Sequence, residues 1–353
     1  MRRKLLTIAV VTVALGILVS ACRPAPTPTP VPTATPVAKT IWQKSLEETF
    51  SQLTGFSPPQ KRYKIGALLI TLTNPFWVTV KEGYLDAAKE FGVQIDVLTA
   101  PTEGDLAAQL ATLESMVAKD YDAIVVHTIT AHNLIPGIVK ATKRGIPVID
   151  PDGRVDRKAV EEAGGKVIQA HTLDFYEQGK MGAQFIVEQL KPEGGKVAII
   201  EGLPGAPQSE ARRDGAKDVF EAEPTIDLVA VQAGDWDRTK ALDIATNIIQ
   251  AHPDIRGFYC ANDVMALAVA EAVAAAKKEG QVIIVGTDFI ADAKEAIKDG
   301  RIHASVAFSP YMYGQLGARM AIMAIEGKPI PEGVHAINVL VSKDNVAEME
   351  DWK

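Results

Sequence analysis

Hydrophobic positions along the chain follow two periods in alternation. From Lys64 onward, short continuous apolar runs alternate with longer stretches in which apolar residues recur every three or four positions. The runs predict strands at 64–71, 93–98, 123–127, 146–149, 166–170, 196–201, 227–232, 256–260, 282–286, 302–308 and 336–341. Most are β-branched throughout, as in Ala123-Ile124-Val125-Val126 and Val282-Ile283-Ile284-Val285, the composition of strands covered on both faces. The amphipathic stretches between them, among them 76–90, 104–118, 175–190, 237–251 and 263–278, predict helices. Such alternation argues for parallel, doubly wound sheets with right-handed crossovers. About ten strands divide better between two sheets than they fit into one. The predicted fold class is α/β, with two doubly wound parallel-sheet lobes.

The first 60 residues break this rhythm. Arg2, Arg3 and Lys4 precede an apolar run from Leu5 to about Val19, the layout of a secretory signal. The run is shorter than the ~20 apolar residues of a membrane span. It ends in Val19-Ser20-Ala21-Cys22, which resembles the lipobox of bacterial lipoproteins. That resemblance implies cleavage after residue 21 and a diacylglycerol on Cys22. Six of the 21 prolines then fall between Pro24 and Pro36. Residues 23–40 are expected to form an extended tether reaching at most about 55 Å, at ~3.1 Å per residue. Ile41, Trp42, Leu46, Phe50 and Leu53 follow at helical spacing and predict a short helix lying on the domain.

Composition narrows the function. Of 353 residues, 47% are hydrophobic and 23% charged, as in ordinary globular chains, and the part beyond residue 60 suits two domains of ~150 residues. Removing residues 1–21 takes away three of the 37 basic residues and none of the 44 acids, so the mature chain carries −10. That charge offers no footprint for nucleic acid. With Cys22 lipidated, Cys260 is the only other cysteine and is expected to be a buried small residue at a strand end. There is no His-Glu-x-x-His, no Gly-x-Ser-x-Gly and no Walker A loop; Gly194-Gly195-Lys196 leads into a strand instead of following one. His127 and His132 have no carboxylate or thiol at ligand spacing, and these two and His171 are each expected at a pocket rim or the surface. The expectation is a binding protein without catalytic residues, metal or cofactor.

Ligands of open α/β sheets bind beyond the carboxyl ends of the strands. The residues there include Asn74-Pro75-Phe76-Trp77, His127-Thr128, Asp150-Pro151-Asp152, Gly234-Asp235-Trp236, Ala261-Asn262-Asp263, Asp288-Phe289 and Phe308-Ser309. Aromatics mixed with carboxylates and amides suit a sugar or polyol: flat rings cover C–H faces, and polar side chains exchange paired hydrogen bonds with hydroxyls. Asn262 can also cap the following helix, although Asp263 is the expected cap.

Six strings in this order, Thr71-Leu72-Thr73-Asn74-Pro75-Phe76-Trp77-Val78, Glu103-Gly104-Asp105, Glu210-Ala211-Arg212-Arg213-Asp214-Gly215-Ala216, Asp235-Trp236-Asp237-Arg238, Tyr259-Cys260-Ala261-Asn262-Asp263 and Val285-Gly286-Thr287-Asp288, resemble the periplasmic pentose/hexose-binding proteins of ABC importers, in the D-allose/D-ribose branch. The resemblance runs from about residue 63 to 341. It implies a type I periplasmic-binding-protein fold with three hinge crossings, near 172–174, 308–310 and 334–336. The expected lobes are 61–172 plus 309–335 and 173–308 plus 336–353. It further implies that Asn74, Asp152, Arg212, Asn262 and Asp288 bond sugar hydroxyls and that Phe76, Trp77 and Trp236 stack on the ring. Phe308 stands where the family carries a pocket glutamine, and Ile70 where allose-binding members have a lysine. Gly153 replaces a residue that is usually charged, and whether Arg154 takes its place stays open. Phe289 occupies a common glycine position. These changes point to a ligand with fewer hydroxyls than an aldohexose, or one carrying an apolar group. The implied role is that of a monomer, attached to the membrane only by its lipid, which delivers a monosaccharide or polyol to an ABC permease. The alternative is a receptor presenting a nucleoside or furanose-like signal to a sensor.

Overall fold

The computed structural model describes residues 39–353. The expected signal segment, Cys22 and the tether up to residue 38 lie outside the described residues. Helix α1 (Ile41–Ser51) opens the described chain with a capping box between Thr40 and Gln43. It buries Trp42, whose ring meets Tyr311 and Trp352 edge-on at 5.9 and 5.7 Å.

The first sheet contains β1 (Lys64–Leu69), β2 (Gln94–Thr99), β3 (Ala123–Val126), β4 (Val148–Asp150) and β5 (Ile168–Gln169), in the order β2-β1-β3-β4-β5. Every pairing is parallel. Helices α2 (Pro75–Phe91), α3 (Leu106–Val117), α4 (Ile135–Lys143) and α5 (Arg157–Glu162) make the connections. After β5 the chain crosses to a second body: α6 (Phe175–Leu190), β6 (Gly195–Glu201), α7 (Pro207–Ala222), β7 (Ile226–Ala233), α8 (Arg238–Ala251), β8 (Ile255–Cys260), α9 (Asp263–Ala275), β9 (Ile283–Asp288), α10 (Ala291–Asp299) and β10 (Ala304–Ala307). Helix α11 (Pro310–Ile325) returns to pack along α2, and β11 (Val339–Ser342) then closes the second sheet, ordered β11-β10-β9-β8-β6-β7. The chain therefore passes between the sheets three times, at 170–174, 308–309 and 326–338. All eleven expected strands are present, and β11 runs antiparallel to β10, a reversal that periodicity did not predict.

Each body carries one very close helix pair. A Cβ on Gly83 of α2 would lie 2.1 Å from the Tyr311 carbonyl oxygen of α11. A Cβ on Gly179 of α6 would lie 2.0 Å from the Arg212 carbonyl oxygen of α7. Glycine lets these backbones touch, and the contacts fix the helices that carry Phe76, Trp77 and Arg212. Cys260 is buried at the end of β8, as expected.

Candidate ligand-binding site

The carboxyl ends of the two sheets face one small cavity between the two bodies. Asn74, Phe76, Trp77, Glu103 and Arg154 line it from the first body, and Gln208, Arg212, Trp236, Asn262 and Asp288 from the second. Phe308 lines it at a crossing. Eight of the nine expected ligand-binding side chains are thus brought together: Asn74, Phe76, Trp77, Arg212, Trp236, Asn262, Asp288 and Phe308.

Two asparagines sit at corresponding places. Asn74 Oδ1 accepts from Phe76 N at 3.0 Å and caps α2, and Asn262 Oδ1 accepts from Met265 N at 3.0 Å and caps α9. Each bond fixes an amide, so each Nδ2 must point elsewhere. That of Asn74 reaches Glu103 Oε2 at 3.5 Å, and that of Asn262 is buried with no protein partner. The cap of α9 is therefore Asn262 and not Asp263, whose buried carboxylate instead accepts from Ser305 Oγ at 2.7 Å and from Ile290 N at 2.9 Å.

The apolar wall is aromatic. Phe76 and Trp77 meet at right angles with centroids 5.0 Å apart, and Phe308 lies 5.2 Å from Phe76. From the other side, Trp236 lies over Gly202, where a Cβ would come within 2.1 Å of the indole. Trp236 and its neighbour Asp235 have φ of 63° and 55°, and Asp288 and Phe289 have 112° and 56°. Positive φ at non-glycine residues costs on the order of 1–3 kcal/mol each and gathers at binding sites. Phe289, at a usual glycine position, is buried outside the cavity lining, with its N–H on Ser305 Oγ at 3.1 Å.

Arg212 is held at three points: Nε donates to Gln178 Oε1 and Nη1 to the Ala261 carbonyl, both at 2.8 Å, and Nη2 lies 3.5 Å from Asp288 Oδ1. Burial pushes the Asp288 carboxyl up to about 7; Arg212 pulls against this, and Glu103 across the cavity adds to it. Burial also raises Glu103 to about 7, against the pull of the Trp77 indole N–H (3.3 Å) and the Asn74 amide.

Asp152 does not line the cavity. Its carboxylate is fully buried, 2.7 Å from Arg154 Nε and 3.7 Å from His127 Nδ1, and the Arg154 guanidinium takes the cleft position. The cause is local: Gly153 has φ +69°, and a Cβ there would lie 2.1 Å from the His171 ring, so the chain turns Asp152 inward and Arg154 toward the cleft. His127 is likewise buried and not at a rim, with Nε2 2.8 Å from the Tyr84 hydroxyl. His132 is exposed beside Asp156, and Ile70 is buried away from the cavity. Among the described residues, no cluster of His, Cys, Asp and Glu could hold a metal ion.

Glu103, Gln208 and Arg154 complete the lining. Glu103 belongs to the Glu103-Gly104-Asp105 stretch, to which the family resemblance assigns no ligand role. Gln208 stands four residues before Arg212, hence on the same face of the helix, a signal available in the sequence.

Residues 65–329 match the periplasmic binding protein domain family. The chain is 44% identical to the D-allose-binding periplasmic protein of Escherichia coli over 75% of its own length and 85% of the relative's. It is 32% identical to a ribose import binding protein of Bacillus subtilis over 78% of its length and 86% of the relative's. Among solved structures, an ABC transporter periplasmic solute binding protein from Actinobacillus succinogenes with bound D-allose superposes with a TM-score of 0.77. It is 33% identical, and the match covers 81% of this chain and 99% of that one. Fold, cavity and sequence agree, and the chain belongs to the periplasmic binding protein family.

Proposed function

We propose that this protein works outside the cytoplasmic membrane, captures a monosaccharide or related polyol between its lobes and delivers it to an ABC permease. The observation that carries this reading is a set of buried polar atoms in the cleft side chains without protein partners: Asn262 Nδ2, Arg154 Nη1 and Gln208 Oε1. Two are donors and one is an acceptor, and they stand against four aromatic rings. A hydroxyl both donates and accepts, and a sugar ring carries several around apolar C–H faces. The relatives named above bind or import allose and ribose, which supports the sugar class, and no observation favours a sensor-presenting role. The reading is of a carrier that binds its ligand unchanged.

In this reading the lobes are 61–172 plus 309–335 and 173–308 plus 336–353, and the three crossings are the hinge. The cleft-facing Phe308 supplies an apolar contact, which favours a ligand with fewer hydroxyls than an aldohexose. The mature chain is a monomer held by a lipid on Cys22, with residues 23–40 as its tether; no helix among the described residues is long and apolar enough to cross a membrane. Thermal unfolding against aldoses, deoxy sugars, polyols and nucleosides tests the ligand class. A ligand at one hundred times its Kd adds about 2.7 kcal/mol of stability. A shift with one sugar or polyol upholds the reading; silence from all of them, with a nucleoside active, overturns it. Radiolabelled palmitate incorporated by the wild type and lost in Cys22→Ser tests the anchor.

A further inference from the structure

We propose that Gln208 is a specificity-determining residue of the cleft, requiring a hydroxyl on the ligand edge that faces the start of α7. This rests on the sugar-binding reading above. Gln208 follows Pro207 in the first turn of α7, is 6% exposed and lines the cavity. Its Oε1 is buried and has no hydrogen-bond partner. Arg212, one turn further along the same face, differs sharply: its guanidinium is fixed by Gln178, the Ala261 carbonyl and Asp288. Gln208 is the neutral member of the pair, and its buried oxygen is unanswered within the protein.

A buried acceptor left unpaired is unfavourable, and a ligand donor removes that cost. The other two unpaired atoms, Asn262 Nδ2 and Arg154 Nη1, are donors and call for an acceptor. An amide turned end for end would present an N–H in place of the oxygen. A hydroxyl satisfies either orientation, while a hydrogen or a methyl group satisfies neither, so the demand at this edge is for a hydroxyl. The opposite demand holds along the edge formed by Phe76 and Phe308, whose rings lie 5.2 Å apart. The ligand is therefore read strictly at the α7 edge and loosely at the phenylalanine edge.

Isothermal titration of the wild type, Gln208→Leu and Gln208→Ser with the tightest-binding sugar and each of its monodeoxy analogues tests this. In the wild type, one analogue should bind at least tenfold more weakly than the parent sugar. In both variants the parent should lose at least tenfold, while that same analogue changes less than twofold. The serine variant keeps the position polar and reports on binding if the leucine variant folds poorly. A uniform loss across all analogues, or no loss for the parent, overturns the role of Gln208 and leaves the sugar-binding reading standing. A wild type that binds no sugar overturns both.

Discussion

Asn262 holds the two ends of one amide apart, one on the cap of α9 and the other at the cleft, and substitutions can separate their effects. Oδ1 caps α9 through Met265 N at 3.0 Å, and the buried Nδ2 has no partner within the protein. Asn262→Ser keeps an oxygen able to cap but removes the donor that reaches the cleft. Serine caps about as well as asparagine, so stability should stay within about 0.5 kcal/mol of the wild type. Ligand affinity should fall by about 1–3 kcal/mol, or roughly 5- to 150-fold, the range for a lost buried hydrogen bond. Asn262→Ala should show the same loss of affinity and in addition lose about 1 kcal/mol of stability with the cap. Urea unfolding without ligand gives the stability difference, and titration calorimetry gives the affinity. Wild-type affinity in Asn262→Ser would mean that Nδ2 does not meet the ligand. Equal destabilisation by serine and alanine would mean that the side chain does not act through its cap.

The closest helix contact and the N-terminal helix each yield a further test, as does the pair of carboxyls in the cleft. Gly179→Ala places a Cβ 2.0 Å from the Arg212 carbonyl oxygen; overpacking should cost about 1–3 kcal/mol and weaken binding by shifting Arg212, and an unchanged melting point would refute the contact. Glu103 and Asp288, both raised to about 7 where the lobes meet, should return toward the ordinary value of about 4 when the lobes separate. The closed, ligand-free form then holds more protons, so closure is favoured at low pH and weakens as pH rises from about 4 through about 7. Small-angle scattering of the ligand-free protein should show a more open form at pH 8 than at pH 5, and identical profiles would contradict this. Trp42→Ala removes the ring wedged between Tyr311 and Trp352 and should lower stability by about 3 kcal/mol in chemical denaturation; no change would mean that α1 is not part of the folded body.

The fold was legible because its strands are covered on both faces, which makes them continuous β-branched runs with little competing pattern. The reversed direction of β11 was not legible, because it depends on the third crossing, whose path no local periodicity records. The cavity lining was legible where it follows strand ends, as with Trp236 and Asn262. It was less so where a backbone turn decides which neighbour faces the cavity. Asp152 and Arg154 are two residues apart, and their exchange depends on the left-handed Gly153 with the His171 ring packed over it. That contact joins residues on opposite sides of β5. His127 was misplaced for a similar reason: the end of a strand is also where the core begins, and Tyr84 and Tyr313 enclose it from helices distant in sequence.

The two asparagine caps explain why helix signals and ligand signals coincide in this chain. A cap needs a short side chain with an acceptor, a demand that serine, threonine or aspartate also meets. Only asparagine leaves a fixed N–H pair after the cap is made. Asn74 and Asn262 place that pair at the start of α2 in one lobe and of α9 in the other, both beside the cleft. The amides cannot turn without uncapping their helices, so the donors stand ready before a ligand arrives. Preorganisation of this kind lowers the ordering cost of binding. The side-chain acceptor oxygens lining the same cavity include those of Glu103, Asp288 and Gln208, and two of these three are carboxyls whose proton affinity should depend on closure. Donor geometry is thus set by the helices of each lobe separately, while acceptor charge is set by the meeting of the lobes. Substitution of the Asn262 cap, whose amide touches neither carboxyl, should therefore alter affinity at every pH alike, whereas Glu103→Gln should alter chiefly its pH dependence.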